Sequence, residues 1–204
     1  QWALYYPAVL DLGELELSDG ERNSLAGSLA AYRSGDLLAA LGKYPAGRVP
    51  SSDAERVYLA ALLLAVGQVA PSEAQLNLMP EGGARSERPA RLGNALRKLI
   101  AAVKFQSGLA TLNPQPSTPL ATEWLAESYE QQSRSNLEAA RLAARKASET
   151  SPDFGFGWVR LAELEFSFGR TTEALRALEK AMALSPRNAQ ALSLKGFLFA
   201  AQNK

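Results

Sequence analysis

Between Pro89 and Phe105 the apolar residues Leu92, Leu96, Leu99, Ile100 and Val103 recur at spacings of three and four. That is the stripe of an amphipathic helix, with one face for a core and one for water. Helix starts are marked by Ser18 with Glu21, Ser52 with Glu55, Ser72 with Gln75 and Ser135 with Glu138, each serine followed three positions later by Glu or Gln. In such a capping box the hydroxyl and the later side chain satisfy two orphan backbone N–H groups. Two segments interrupt the pattern. PEGGARSERP, from Pro80 to Pro89, reads as a loop, and Ser107 to Pro119 carries three prolines. The unit over 78–119 is therefore an irregular repeat or a hinge. Residues 1–18 hold Trp2, Leu4, Tyr5, Tyr6, Val9, Leu10, Leu12, Leu15 and Leu17, too many apolar side chains for a free tail. They are predicted to dock on the following helices as an arm, the alternatives being a linker or a self-association segment.

The C-terminal half repeats itself. Pro152 and Pro186 bracket one unit. With Gly155 as position 1, Trp158 falls at 4, Leu161 at 7, Ala162 at 8, Ala174 at 20, Leu178 at 24, Ala181 at 27 and Pro186 at 32. Small residues at 8, 20 and 27 let two helices approach, large ones at 4, 7 and 24 fill the space, and proline ends the second helix. One period earlier lie Trp124, Ser128, Ala140, Ala147 and Pro152, with Glu127 departing at 7 and Gln131 at 11; one period later lie Leu192, Gly196 and Phe199, with Lys195 departing at 7. This pattern resembles the tetratricopeptide repeat, a helix-turn-helix unit of about 34 residues. The match is good over 121–204, as two full repeats and half of a third. It is degenerate over 21–78, where Gly35 at position 15 puts Ser28 at 8, Tyr32 at 12 and Ala40 at 20, and a second unit has Ala60, Gly67 and a displaced Ala74.

The resemblance implies an all-α fold, an α-solenoid of stacked antiparallel helix pairs forming a right-handed superhelix. It implies four segments: an arm at 1–18, degenerate repeats at 19–106, a Pro-rich loop at 107–120 and clear repeats at 121–204. In that family positions 2, 5, 9, 12 and 13 line a concave groove that takes peptides or partner helices. Here those positions are Thr122, Leu125, Tyr129, Gln132 and Ser133, then Phe156, Val159, Glu163, Phe166 and Ser167, then Gln190, Ser193, Phe197, Ala200 and Ala201, with Tyr32 a further candidate. The set is aromatic and aliphatic with no Lys or Arg, which disfavours a carboxylate clamp and favours an apolar strand or helix as ligand. The chain's own residues 1–18 or 107–119 are the competing occupants.

Composition agrees with helices. The chain of 204 residues holds 36 Ala and 33 Leu against 7 Val and 1 Ile. Ala and Leu favour helices, and β-branched residues favour strands. With no Cys and no His there is no thiolate or imidazole nucleophile, no Ser-His-Asp triad and no ordinary zinc site. Gly42-Lys43 lacks a P-loop's first glycine, since position 37 is Leu, and Arg160 stands where the dinucleotide fingerprint begun at Gly155 needs its third glycine. Among the carboxylates, Glu163 and Glu165 point to different faces, while Glu127 and Glu130 share one. They read as a solvated surface, and no enzyme, cofactor or metal is expected. Arg85, Arg88, Arg91, Arg97, Lys98 and Lys104 form a basic stretch, but a net charge of +1 argues against nucleic acid as partner. YLAALLLAVG, from Tyr58 to Gly67, is half the length a bilayer needs, so no membrane span is expected.

The expected function is a non-catalytic scaffold that binds a protein or peptide on its concave face. The alternative is a structural spacer or assembly module within a longer, bacterial cell-envelope protein. The N-terminal WALYYP loosely resembles bacterial repeat proteins in which such arrays follow another domain, and neither it nor the residues around it form a signal peptide. The last helix, ALSLKGFLFAAQNK, presents Phe197, Leu198 and Phe199 together. That surface predicts a homodimer through this helix, an internal cover, or further sequence.

Overall fold

The computed structural model describes residues 8–79, 87–104 and 118–202. Most of both proline-rich loops, and the start of the arm, lie outside the described residues. Among the described residues there are eleven α-helices, one 3-10 turn at Leu12–Glu14 and no strand. The first helices are α1 (Asp19–Ser24), α2 (Ala26–Ser34), α3 (Leu37–Gly42), α4 (Asp53–Ala65), α5 (Val69–Asn77) and α6 (Glu87–Val103). They are followed by α7 (Ala121–Ser133), α8 (Leu137–Thr150), α9 (Gly155–Ser167), α10 (Thr171–Leu184) and α11 (Ala189–Gln202).

The repeat period is visible in the helix boundaries. α7, α9 and α11 start at Ala121, Gly155 and Ala189, separated by equal steps, and α8 and α10 start at Leu137 and Thr171 with the same offset. Each helix packs on its neighbour in sequence, and α7 with α9, and α9 with α11, also lie side by side. Alanines make this closeness possible: Ala140, Ala144 and Ala147 of α8, and Ala174, Ala177 and Ala181 of α10, are buried against the preceding helices. A lysine of each second helix closes the outer edge over a tryptophan of the first. Lys146 Nζ lies 4.3 Å from the Trp124 ring centre and Lys180 Nζ 4.2 Å from that of Trp158.

The earlier pairs follow the same contact with different atoms. The Ser28 hydroxyl on α2 donates to the Ala40 carbonyl on α3 at 2.6 Å, and the Ser72 hydroxyl on α5 donates to the Ala60 carbonyl on α4 at 2.8 Å. Ser72 therefore fills the position at which Ala74 looked displaced. This also corrects its expected capping role, because α5 starts at Val69 and Ser72 lies inside it, fully buried. Ser135 likewise does not cap α8. It adopts a positive φ of 64° in the turn, and Asn136 precedes the helix instead. Ser18 and Ser52 do cap α1 and α4, through the backbone N–H groups of Glu21 and Glu55.

The segment Ala8–Leu17 runs through the core. Leu10, Leu12, Leu15 and Leu17 are all buried among Leu25, Leu29, Tyr58, Leu62, Leu92, Leu96 and Leu125. Burying one leucine side chain is worth about 1.5–3 kcal/mol. Four approach the roughly 5–15 kcal/mol that hold a whole domain folded, so the arm is a permanent part of the core. Polar contacts fix its register. The Tyr32 hydroxyl donates to the Leu10 carbonyl at 2.9 Å, and the Asp11 N–H donates to Thr122 Oγ1 at 2.9 Å. Glu14 then caps α7, its carboxylate accepting the N–H groups of Ala121 at 2.6 Å and Thr122 at 3.1 Å.

Early and late helices also touch. The turn between α2 and α3 meets the turn between α10 and α11: the Arg187 N–H donates to the Ser34 carbonyl at 2.7 Å, and the Ser185 hydroxyl to the Arg33 carbonyl at 2.8 Å. Gly35 sits at this junction with φ +88°, and a Cβ there would stand 2.6 Å from the Asn188 nitrogen. Gly67 has nearly the same conformation, φ +83°, with open space around it. A left-handed alanine costs about 1–2 kcal/mol by itself. Gly67→Ala should therefore lower stability by about that amount, and Gly35→Ala by clearly more, because the junction must also separate. Urea denaturation of the two variants measures the difference.

Candidate functional site

The residues expected to line a groove fall into two groups. At the end of α7 and α9 nearest the arm, Thr122, Leu125, Phe156 and Val159 are buried. Thr122 is held by Asp11, and the Phe156 ring packs 5.3 Å from that of Tyr32. Tyr32 is itself buried, so these five side chains present nothing to a partner. At the other end Tyr129, Glu163, Phe166 and Gln190 are partly accessible, while Gln132 and Phe197 are exposed. These six residues of α7, α9 and α11 form the candidate surface.

An arginine organises it. Arg160 is only 1% exposed, yet it reaches across from α9 to α7. Its Nε donates to Ser128 Oγ at 3.0 Å, its Nη2 donates to Gln132 Oε1, and its Nη1 donates to Glu163 Oε2 at 2.9 Å. Its guanidinium lies 3.9 Å from the centre of the Tyr129 ring. Gln190 Nε2 of α11 donates to the same Glu163 oxygen at 3.1 Å. One planar fork thus orients Tyr129, Gln132 and Glu163, and a lysine, with a single point charge, could not hold all three. Arg160 carried no signal as a site residue in the sequence, where it stood out only as a failed glycine position. The Gln132 amide, the Glu163 carboxylate and the Tyr129 ring that it holds keep access to water, as do Phe166 and Phe197 at the other expected positions. Such groups suit an extended segment that offers backbone hydrogen bonds and an apolar side chain.

Several of the remaining charges among the described residues are paired. Within the basic stretch, Arg91 binds Glu123 at 2.6 Å, Lys98 bridges Glu127 and Glu130, and Lys104 binds Glu73 at 2.5 Å. Arg97 donates to the Leu76 carbonyl at 2.6 Å. These cations hold α6 to α5 and α7. Glu127 and Glu130 do share a face, and the Lys98 ammonium between them, with Arg134 on Glu130, balances their charge. Glu165 points away from Glu163, as expected, but it is not part of a solvated surface: it is buried under Arg141 at 2.9 Å and Arg145 at 2.8 Å, whose charges offset its loss of water. Glu55 is buried and accepts from Arg48, from the Tyr44 hydroxyl at 2.8 Å and from the Ser51 N–H at 3.0 Å. Among the described residues no three His, Cys, Asp or Glu side chains gather as a metal-binding group. Within the same residues no helix is long and apolar enough to cross a membrane.

Comparison with protein-family models, with curated proteins and with solved structures gives no significant match.

The carboxylates titrate in opposite senses. Burial alone would raise Glu55, but hydrogen bonds from Arg48, Ser51 and Tyr44 outweigh it and hold the carboxyl at about 2. Glu165 is lowered in the same way, burial being overcome by Arg145 and Arg141, and Glu127 is lowered by Lys98 and Gln131 against its burial. Glu14 is raised, because its burial outweighs the hydrogen bonds from Thr122 and Ala121. A lowered carboxyl contributes stability above its unfolded pKa, near 4.5, that is lost as pH falls through the folded value. A raised one works in reverse, as Glu14 does here. The melting temperature should therefore fall steadily between pH 5 and pH 2, and Glu55→Gln should flatten that fall while lowering the plateau above pH 5. At Glu14 ionisation therefore costs stability at neutral pH, whereas the accepting oxygens contribute it. Glu14→Ala leaves two buried N–H groups of α7 unpaired and should cost about 1–3 kcal/mol for each. Glu14→Gln, which keeps one acceptor, should cost less than half of that in urea denaturation at neutral pH.

Proposed function

We propose that the chain is a tetratricopeptide-like α-solenoid that works as a non-catalytic interaction scaffold. Its ligand is an extended peptide or a partner protein, taken on the face that α7, α9 and α11 share. The observation that supports this reading is the constant offset of helix boundaries, together with the packing of α7 on α9 and of α9 on α11; Tyr129, Gln132, Glu163, Phe166 and Phe197 are the accessible residues at the groove positions of the repeat pattern. The fixed geometry around Arg160 supports it further. Side chains held in place before a ligand arrives lose little freedom on binding, which favours affinity. The buried end, where Phe156 and Val159 are covered, makes the working groove shorter than the repeat pattern implies.

A second reading, a structural spacer or assembly module, draws support from the contact between the α2–α3 and α10–α11 turns. That contact makes the array a stiff unit suited to holding neighbours at a set distance.

Peptides selected from a random library against the immobilised full chain separate the two readings. On the scaffold reading, selected peptides bind the wild type, and Glu163→Lys with Phe197→Ala weakens them at least tenfold, about 1.4 kcal/mol. Failure to select any peptide, or selection of peptides indifferent to those two changes, would sink the groove assignment.

A further inference from the structure

We infer that Arg145 and Arg170 form a binding site for one carboxylate side chain, carried on a segment of a partner protein. The site is built on Glu165, whose side chain is only 2% exposed. Among the described residues it is the one acid on which three cations converge. Arg141 reaches Glu165 Oε1 at 2.9 Å, Arg145 reaches the same oxygen at 2.8 Å, and Arg170 stands 3.5 Å from Oε2. Arg141 is itself buried and also donates to both oxygens of Glu138. Three positive charges thus meet two negative ones, Glu165 and Glu138. Arg141 is fully engaged with those two acids, so the excess cation lies on Arg145 and Arg170. These two side chains are 43% and 44% exposed. Each gives Glu165 a single nitrogen, and the other nitrogens of both guanidinium groups donate to no group of the protein.

The surroundings select the ligand. Phe168 is 38% exposed, and the guanidinium carbons of Arg141 and Arg170 lie 5.9 Å and 5.7 Å from its ring centre. Leu142, also exposed, stands three positions before Arg145 on α8 and so neighbours it on the helix surface. The two arginines therefore border apolar groups, which suits an Asp or Glu side chain with apolar neighbours in its own segment. One excess cation is balanced by one carboxylate. A phosphate group, with a charge of about −1.5 to −2 at neutral pH, would overshoot it. Glu138 is exposed at the edge of the site, close enough to Arg170 and Arg145 for both to lower its carboxyl after Arg141 does. It would repel a second anion, which tells against an acidic run or a nucleic-acid backbone as ligand. Glu165 holds the two arginines in place beforehand, so they lose less freedom on binding. Since Glu165 points away from Glu163, this site is separate from the proposed groove.

The probe is an end-blocked tripeptide of leucine, glutamate and phenylalanine, titrated into the full chain labelled with nitrogen-15. The arginine Nε–H resonances report on each guanidinium separately. Saturable shifts at Arg145 and Arg170 are expected, with Arg22 and Arg56 unmoved. The same peptide with glutamine in place of glutamate should bind roughly fivefold more weakly, the upper end of what an exposed ion pair contributes. That comparison needs no altered protein. Arg145→Gln with Arg170→Gln leaves the Arg141–Glu165 pair intact and should weaken the glutamate peptide by a similar factor, read at the Phe168 amide. Four results would overturn the inference: no saturable shift at the two arginines, equal binding by the glutamine peptide or by the altered protein, tighter binding of inorganic phosphate than of the peptide, or shifts of the same resonances with concentration of the chain alone. The third would make this a site for free phosphate, and the fourth would make a second copy the occupant.

Discussion

The contact on which most of this structure depends is that between the arm and the first turn of α7. Helix α7 begins after Leu120, which has no side-chain acceptor, so its first N–H groups need a cap from elsewhere. Glu14 supplies it from more than a hundred positions upstream. The same few residues place Leu10 beneath Tyr32 and Asp11 beside Thr122, so one short segment joins α2, in the first third of the chain, to α7 in the second. Without it the helices on either side would face each other across an empty trough, with four leucine-sized voids to fill.

Positions that the repeat pattern assigns to a groove are of two kinds, and burial separates them. Thr122, Leu125, Phe156 and Val159 are core residues, Thr122 held by the arm and Phe156 packed on Tyr32, whereas Tyr129, Gln132, Glu163 and Phe197 keep access to water. Arg160 marks the boundary. Its guanidinium is buried, yet its hydrogen bonds run outward to Gln132 and Glu163. Charges elsewhere serve mainly as fasteners, as Lys98 does between α6 and α7.

Much of the helix layout was legible in the sequence because its signals are local. The equal spacing of Trp124 and Trp158, and of Ala140 and Ala174, fixes helix lengths through packing that each repeat carries within itself. The stripe on α6 was readable for the same reason. The errors came where one residue type serves two physical ends. Ser72, followed by Gln75, satisfies the spacing of a capping box, but the same hydroxyl satisfies a buried carbonyl on the neighbouring helix, and burial decided the matter. Ser135 was displaced from its cap by a left-handed turn. The candidate surface was legible only in half. No spacing rule could show that Glu14 would cap α7 or that Phe156 would meet Tyr32, since both contacts are made across long stretches of chain. Arg160 was missed because an isolated arginine among apolar residues carries no periodic signal.

The junction of Ser34 with Arg187, and of Arg33 with Ser185, bears on how the chain reaches this state. Linear helix arrays fold piecemeal, each unit resting on its neighbour. Here the first helix pair is completed by residues about 150 positions later, a long loop whose closure must be met before its contacts repay it. The N-terminal third, synthesised first, exposes the surface around Tyr32 and Gly35 until the α10–α11 turn emerges. These helices should therefore fold as one cooperative unit only once the α10–α11 turn has been made, and the earliest of them wait longest for their partners.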